Sequence, residues 1–397
     1  MFLSVLGVMT GNSCDGLDAS CIEIGPEGWK SLWNQSVAYP SPLKKRVLAL
    51  QVPVSKHSLK TWLELHRDLG EWYGRTLNKI IQFHSKPPDL IANHGQTVGH
   101  FPQSGSNGMT LQLGDPTRIS AHTRLTVVGH FREGDMAVGG QGAPLVPIFH
   151  RMIAHRLKKD GFGIAIHNLG GISNLTYLGP EQEVLAFDTG PGNVWIDAAV
   201  AKMTCGKRQF DKNGKIAASS QPHERSVQKI LLHPFFSKKP PKSTGRDEFP
   251  FQYFLSKTRS TQESMVATAT EVTIRSIVHA YQTWILGKGL NLQEILLCGG
   301  GAKNLTILHE IQKRLPEVVV SSLSRFGFDS QYTEAQAFAI FGFLSLMGHP
   351  LGGSWTGAHR FGPPGHLIPG ENWNSLMTKS QLFFQDPTST QRILSLA

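Results

Sequence analysis

The chain has 397 residues, a length for two or three domains, and 40% hydrophobic against 17% charged residues exclude a disordered chain and leave ample core material. A net charge of +10 fits either a nucleic-acid surface or a basic enzyme with anionic substrates; the Lys and Arg residues are scattered, with no basic run, so nucleic acid is not an expected partner. The four cysteines form no C-x-x-C pair, which argues against zinc and against a disulfide framework. The apolar start is short, without a basic flank, and no apolar run reaches membrane-spanning length, so a cytoplasmic location away from membranes is expected.

Residues 2–8 read as a strand, Thr10 to Gly16 as a polar turn, and 19–24 and 29–37 as further strands. Apolar residues at helical spacing predict a helix over 59–83. Residues 90–92 form a short buried strand leading into Asn93-His94-Gly95-Gln96-Thr97. Strands at 111–113 and 125–128 flank a helix from Pro116. Glycines at 139–142 mark a break before a helix over 145–157. The opening pattern then recurs: strand 163–169, a Gly170-Gly171 turn, strand 172–178, strand 184–187, then helices near 263–286 and 302–314 with strands at 295–298 and 318–320. Two copies of strand-turn-strand-strand followed by helices, with little shared sequence, make an architectural repeat. Residues 236–250 are a loop by composition, and the stretch after Gly370 reads as a loosely attached appendage.

Several motifs carry chemistry, each with a plainer reading beside it. The strand 184–187 is expected to stop at Asp188, under Thr189-Gly190-Pro191-Gly192, with Asn193 capping the next helix. A carboxylate placed so suits a general base; the plainer reading is an Asx-turn. Gly11-Asn12-Ser13-Cys14-Asp15-Gly16-Leu17-Asp18 is either an anion nest with carboxylates for a magnesium ion or a decorated hairpin. Cys298-Gly299-Gly300-Gly301 admits a ring or phosphate to the backbone, or makes a tight crossover. Glu334 in a first helical turn also suits the helix dipole. Arg132 beside a strand end could pair with a substrate carboxylate or lie on the surface.

In their order, these stretches resemble the anhydro-N-acetylmuramic acid kinases. The likeness runs from Gly7 to Asp18, through His94-Gly95-Gln96-Thr97, Phe131-Arg132, Gly139 to Pro147, Asn168-Leu169-Gly170-Gly171-Ile172-Ser173-Asn174, Asp188 to Asn193, Lys242-Ser243-Thr244-Gly245-Arg246 and Cys298 to Gly301, to Glu334-Ala335. It covers about 4–370. It implies an α/β chain of the sugar kinase, heat-shock ATPase and actin superfamily: two actin-like, ribonuclease-H-like lobes of mixed sheet flanked by helices, with a central cleft. It implies an N-terminal lobe over 1–135, completed by part of 345–370, a C-terminal lobe over 136–344, and an appended tail over 371–397.

The resemblance also implies ATP and Mg2+, opening of a 1,6-anhydro sugar with water, and phosphorylation of its O6 in cell-wall recycling. Asp188 is then the base, with Glu334 near the sugar. Gly11, Asn12, Ser13, Cys14, Asp15, Gly16, Leu17, Asp18, Gly170, Gly171, Gly299, Gly300 and Gly301 hold the nucleotide; Thr97, Arg132 and Asn174 hold the sugar. No metal ligand is assigned, and a homodimer is expected. The chain departs from the family's usual residues at Asn12 and Cys14 in the first loop, and at His130, where the family usually has Asp. A weakened paralogue acting as a sugar sensor, or a kinase for another sugar, are the alternatives.

Overall fold

A computed structural model describes residues 2–11, 14, 16–26, 28–50, 57–102, 107–159, 163–180, 183–245 and 248–385. The chain divides into two compact units, Met1–Met152 with Tyr332–Ala397, and Ile153–Gln331.

Among the described residues, the first unit has a seven-stranded sheet of β1 (Leu3–Thr10), β2 (Gly16–Gly25), β3 (Gly28–Ala38), β4 (Leu90–Phe101), β5 (Met109–Leu113), β6 (Val127–Gly129) and a late strand, His366–Ile368. The second unit has a five-stranded sheet of β7 (Ile164–Leu169), β8 (Ile172–Leu178), β9 (Val184–Pro191), β10 (Glu294–Cys298) and β11 (Val319–Ser322); the late strand is β12. The backbone of the first sheet runs β3-β2-β1-β4-β6, that of the second β9-β8-β7-β10-β11. In each, a three-stranded antiparallel meander is followed by two parallel crossover strands. That shared order is the ribonuclease-H-like sheet of the actin-like ATPases, so the repeat is one of topology.

β1 is apolar on both faces because helices cover both. Leu6 and Val8 pack with Leu65, Leu69 and Tyr73 of the helix Leu59–Phe83. On the other face the helix Thr333–Leu346 presses on the backbone: a Cβ at Gly7 would lie 1.8 Å from the Ala335 carbonyl oxygen. Only glycine permits that approach. This contact places the helix in the first unit, whereas the sequence reading assigned residues up to 344 to the C-terminal lobe. Likewise Phe149 packs on Trp29 of β3, with ring centroids 5.1 Å apart, so 136–152 belong with the first sheet.

The segment after Gly370 is not loose. Asn372 accepts from the Thr126 N–H at 2.8 Å and donates to the Asp89 carbonyl at 2.7 Å. The following helix, Trp373–Phe384, buries Leu376, Ser380 and Phe383, with Phe383 edge-on to Phe343 at 5.5 Å. Lys379 pairs with Asp89 at 2.5 Å.

Candidate active site

In the second unit, the register sets Asn168 opposite Asn174, and Asn174 opposite Asp188. Opposed residues share a face, so these three half-buried side chains form a polar row across β7, β8 and β9. Cys298 continues the register on β10. The preceding residues of β7 and β9, His167 and Phe187, alternate to the other face and are buried. There His167 Nε2 lies 2.7 Å from Ser173 Oγ and Nδ1 lies 3.0 Å from the Tyr281 hydroxyl. Thr189 Oγ1 donates to Ser173 Oγ at 2.8 Å. Burial lowers the His167 pKa to about 3, so the imidazole is a neutral strut holding the strand ends beneath the row.

Asp188 is anchored by the segment that composition marks as loop. Its backbone N–H donates to the Lys242 carbonyl at 3.0 Å, and the Thr244 N–H donates to Asp188 Oδ2 at 2.8 Å. Lys242 is only 2% exposed. Its ammonium donates to the carbonyls of Phe235 (3.1 Å) and Phe236 (3.4 Å) and lies 4.6 Å from the Phe235 ring centroid. Desolvation pulls its pKa down to about 8, with the Asp188 charge opposing.

The expected break at Asp188 does not occur. β9 continues to Pro191, with Gly190 at φ +136°, a conformation open to glycine, and a register shift opposite Ser173 and Asn174. Asn193 stands at the N-cap position of the helix Val194–Met203 without capping it; its Nδ2 donates to the Leu169 carbonyl at 2.9 Å. In that helix Trp195, Ile196, Ala199 and Val200 are buried, while Val194 and Ala198 are half-buried.

Three glycine turns meet beside the row. The Gly192 N–H donates to Gly171 O at 2.9 Å and the Asn193 N–H to Gly170 O at 2.8 Å. A Cβ at Gly299 would stand 2.3 Å from Asn168 Oδ1, and one at Gly301 2.7 Å from Asn193 Oδ1, while at Gly300 nothing lies within 4 Å. The backbone at Gly300 is therefore open to a flat ring or a phosphate. The helix expected from Ala302 begins later, as Leu305–Arg314 capped by Asn304, after a 3-10 turn over Gly300–Lys303.

In the first unit, Gly11, Cys14, Gly16, Leu17 and Asp18 of the opening loop are described; Asn12, Ser13 and Asp15 lie outside the described residues. The Cys14 N–H donates to Gly11 O at 3.1 Å, with Cys14 at φ +53°. The Cys14 and Leu17 side chains belong to the core, which leaves only their backbone for any contact outside it. Asp18 accepts from the Ser36 hydroxyl, and Ser36 lies 3.0 Å from the Tyr332 hydroxyl. Beneath the loop, Thr10 Oγ1 donates to Gly95 O at 2.8 Å, and Gln96 Nε2 to Gly11 O at 3.3 Å. Tyr39 donates to Gln96 Oε1 at 3.0 Å and meets the Tyr73 hydroxyl at 2.6 Å. This buried web fixes the turn. It exists because β4 runs on through His94-Gly95-Gln96-Thr97 to Phe101, beyond the expected short strand.

Arg132 is half-buried, and its fork is held by that strand: Nε and Nη2 lie 3.2 and 3.1 Å from His94 Nε2, and Nη1 donates to Gly142 O at 2.8 Å. Burial, then the Arg132 charge, keeps His94 neutral and lowers the His100 pKa to about 3. Asp135, nearly fully buried, accepts from the Gly142 N–H and the Thr356 hydroxyl, each at 2.7 Å, and so fixes the carbonyl that Arg132 meets. Burial raises the Asp135 pKa against these bonds. Thr97 pairs with Gln112 of β5, and Glu334 is half-buried in the first turn of its helix.

A family model for anhydro-N-acetylmuramic acid kinase matches residues 3–369. The chain belongs to that family. The anhydro-N-acetylmuramic acid kinase of Acidithiobacillus ferrooxidans is 36% identical over 98% of this chain and 97% of its own length. That of Gloeobacter violaceus is 37% identical over 92% of this chain and 98% of its own. That of Haemophilus influenzae is 35% identical over 92% and 97%.

Within this kinase family frame, the second unit brings Asp188, Asn174, Gly170, Gly171 and the glycines 299–301 together at one edge. The first unit gathers the opening loop, Thr97 and Arg132 around β4 and carries Glu334. Sequence reasoning missed Lys242 and Thr244 as the anchor of Asp188, and His94 as the rest for Arg132. Both stretches were among the matched motifs, which was the available signal.

Proposed function

We propose that the chain uses ATP and water to convert 1,6-anhydro-N-acetylmuramic acid to N-acetylmuramic acid 6-phosphate. The observation that carries this reading is the anchoring of Asp188: one backbone bond to Lys242 and one from Thr244 hold a carboxylate within β9, beside Asn174 and an open glycine backbone. A general base needs such fixed placement. Asp188 takes a proton from water, which attacks the anomeric carbon. The C1–O6 bond breaks, and O6 takes the γ-phosphoryl group of ATP, so no separate acid protonates it.

Glu334 faces the sugar ring, Asn174 and Thr97 hold its polar groups, and Arg132 pairs with the lactyl carboxylate. The opening loop, Gly170, Gly171 and 299–301 take the nucleotide. Mg2+ keeps several waters and needs one or two carboxylates, and Asp18 fits that role; when bound, it neutralises phosphate charge. By the family resemblance, the enzyme works as a cytoplasmic homodimer in peptidoglycan recycling.

A coupled ADP-release assay with the anhydro sugar and with plain hexoses tests the reading. Turnover dependent on the anhydro sugar supports it. Binding without turnover makes the protein a sensor, and turnover on a plain hexose makes it another sugar kinase.

A further inference from the structure

Outside the chemistry above, the first unit gathers two imidazoles and a carboxylate. β12 pairs antiparallel with β6, with His366 opposite Gly129. His130 follows at φ +58°, and Glu133 opens the short helix Glu133–Ala137. Glu133 Oε1 lies 2.9 Å from His130 Nδ1, and Oε2 lies 3.7 Å from His366 Nε2. The rings stand 4.9 Å apart at 31°, and one ligand atom from each residue lies within 4.8 Å of the others.

We propose that His130, Glu133 and His366 bind a divalent transition-metal ion of the zinc class. Two imidazole nitrogens and one carboxylate oxygen are a zinc donor set, with bonds of about 2.0–2.2 Å. Ligand atoms on such a sphere stand about 3.3–3.6 Å apart, so the three need only small side-chain rotations. Nitrogen donors disfavour magnesium and calcium, which take oxygen, and so separate this site from the ion that accompanies ATP. The backbone is tied on both sides, His366 by the β6–β12 ladder and Glu133 by its helix. His366 is mostly exposed, leaving room for water as the fourth ligand. A bound ion would clasp β12 to the segment that carries Arg132, two residues beyond His130.

The experiment uses the full chain after dialysis against a chelator, titrated with Zn2+ alone against a chromophoric competitor, with melting followed in parallel. His366→Ala, at an exposed position, and His130→Asn, which tolerates the positive φ, are the variants. The proposal expects one equivalent of Zn2+ and a rise in wild-type melting temperature. Each variant, melting like the metal-free wild type, should bind at least about tenfold more weakly. Absence of stoichiometric binding, or wild-type affinity in both variants, would overturn it; the second result would place the metal on other histidines. A variant that melts well below the metal-free wild type is replaced by Glu133→Gln, for which the same loss is expected.

Discussion

Arg132→Ala separates sugar from nucleotide recognition. The guanidinium meets His94 Nε2 through two nitrogens and donates to Gly142 O at 2.8 Å, and both neighbouring imidazoles are held neutral. Arg132 is therefore the cation of this group, its fork fixed before any ligand arrives. A charge-assisted bond to the lactyl carboxylate contributes about 1.5–3 kcal/mol, which is about ten- to 150-fold in acceptor KM. Removal also leaves His94 Nε2 and Gly142 O without this partner, at about 1–3 kcal/mol of stability if water does not replace it. Arg132→Lys keeps the charge and loses the fork, so its acceptor KM should fall between wild type and alanine. Initial rates with each substrate varied in turn give both constants. An unchanged acceptor KM with a raised KM for ATP would refute the reasoning and assign Arg132 to the nucleotide.

Phe383→Ala should destabilise the first unit by about 3–5 kcal/mol, since the ring is buried against Phe343; unchanged calorimetric melting would mean that the terminal helix is dispensable. Lys242 has a folded pKa of about 8 against about 10.4 unfolded, so between those values the unfolded chain holds the extra proton and folding becomes more favourable as pH rises. Wild type should therefore gain stability relative to Lys242→Met from about pH 8 to 10, and a difference flat in pH would contradict that. Gly7→Ala should block the seating of Thr333–Leu346 on β1, because its Cβ meets the Ala335 carbonyl oxygen at 1.8 Å, and should lower both melting temperature and turnover; a normal melting curve would show that the helix can retreat without cost.

Legibility in the sequence followed periodicity. The helix over 59–83 and the strands of both meanders were readable because burial repeats along them. The terminal helix was hidden because Ser380 occupies its buried face between Leu376 and Phe383; its hydroxyl donates to the Leu376 carbonyl at 2.7 Å, so a polar letter stands at a core position. Lys242 was hidden for the same reason, a charged residue satisfied by backbone carbonyls inside a Pro- and Lys-rich stretch. β9 passed through Asp188 because Gly190 bends without leaving the ladder. Glycine turns and carboxylates at strand ends were visible as a set, but which residues hold them depends on contacts far apart in sequence, such as Asp188 with Thr244.

The central claim is that Asp188 activates a water for attack on the anomeric carbon while O6 takes the phosphoryl group. Turnover in heavy-oxygen water tests it most directly. Label is expected on the anomeric oxygen of the product and not in the transferred phosphate, with a fall of at least about a hundredfold in the rate of this labelling for Asp188→Asn. Label in the phosphate, or near-normal labelling by Asp188→Asn, would contradict it.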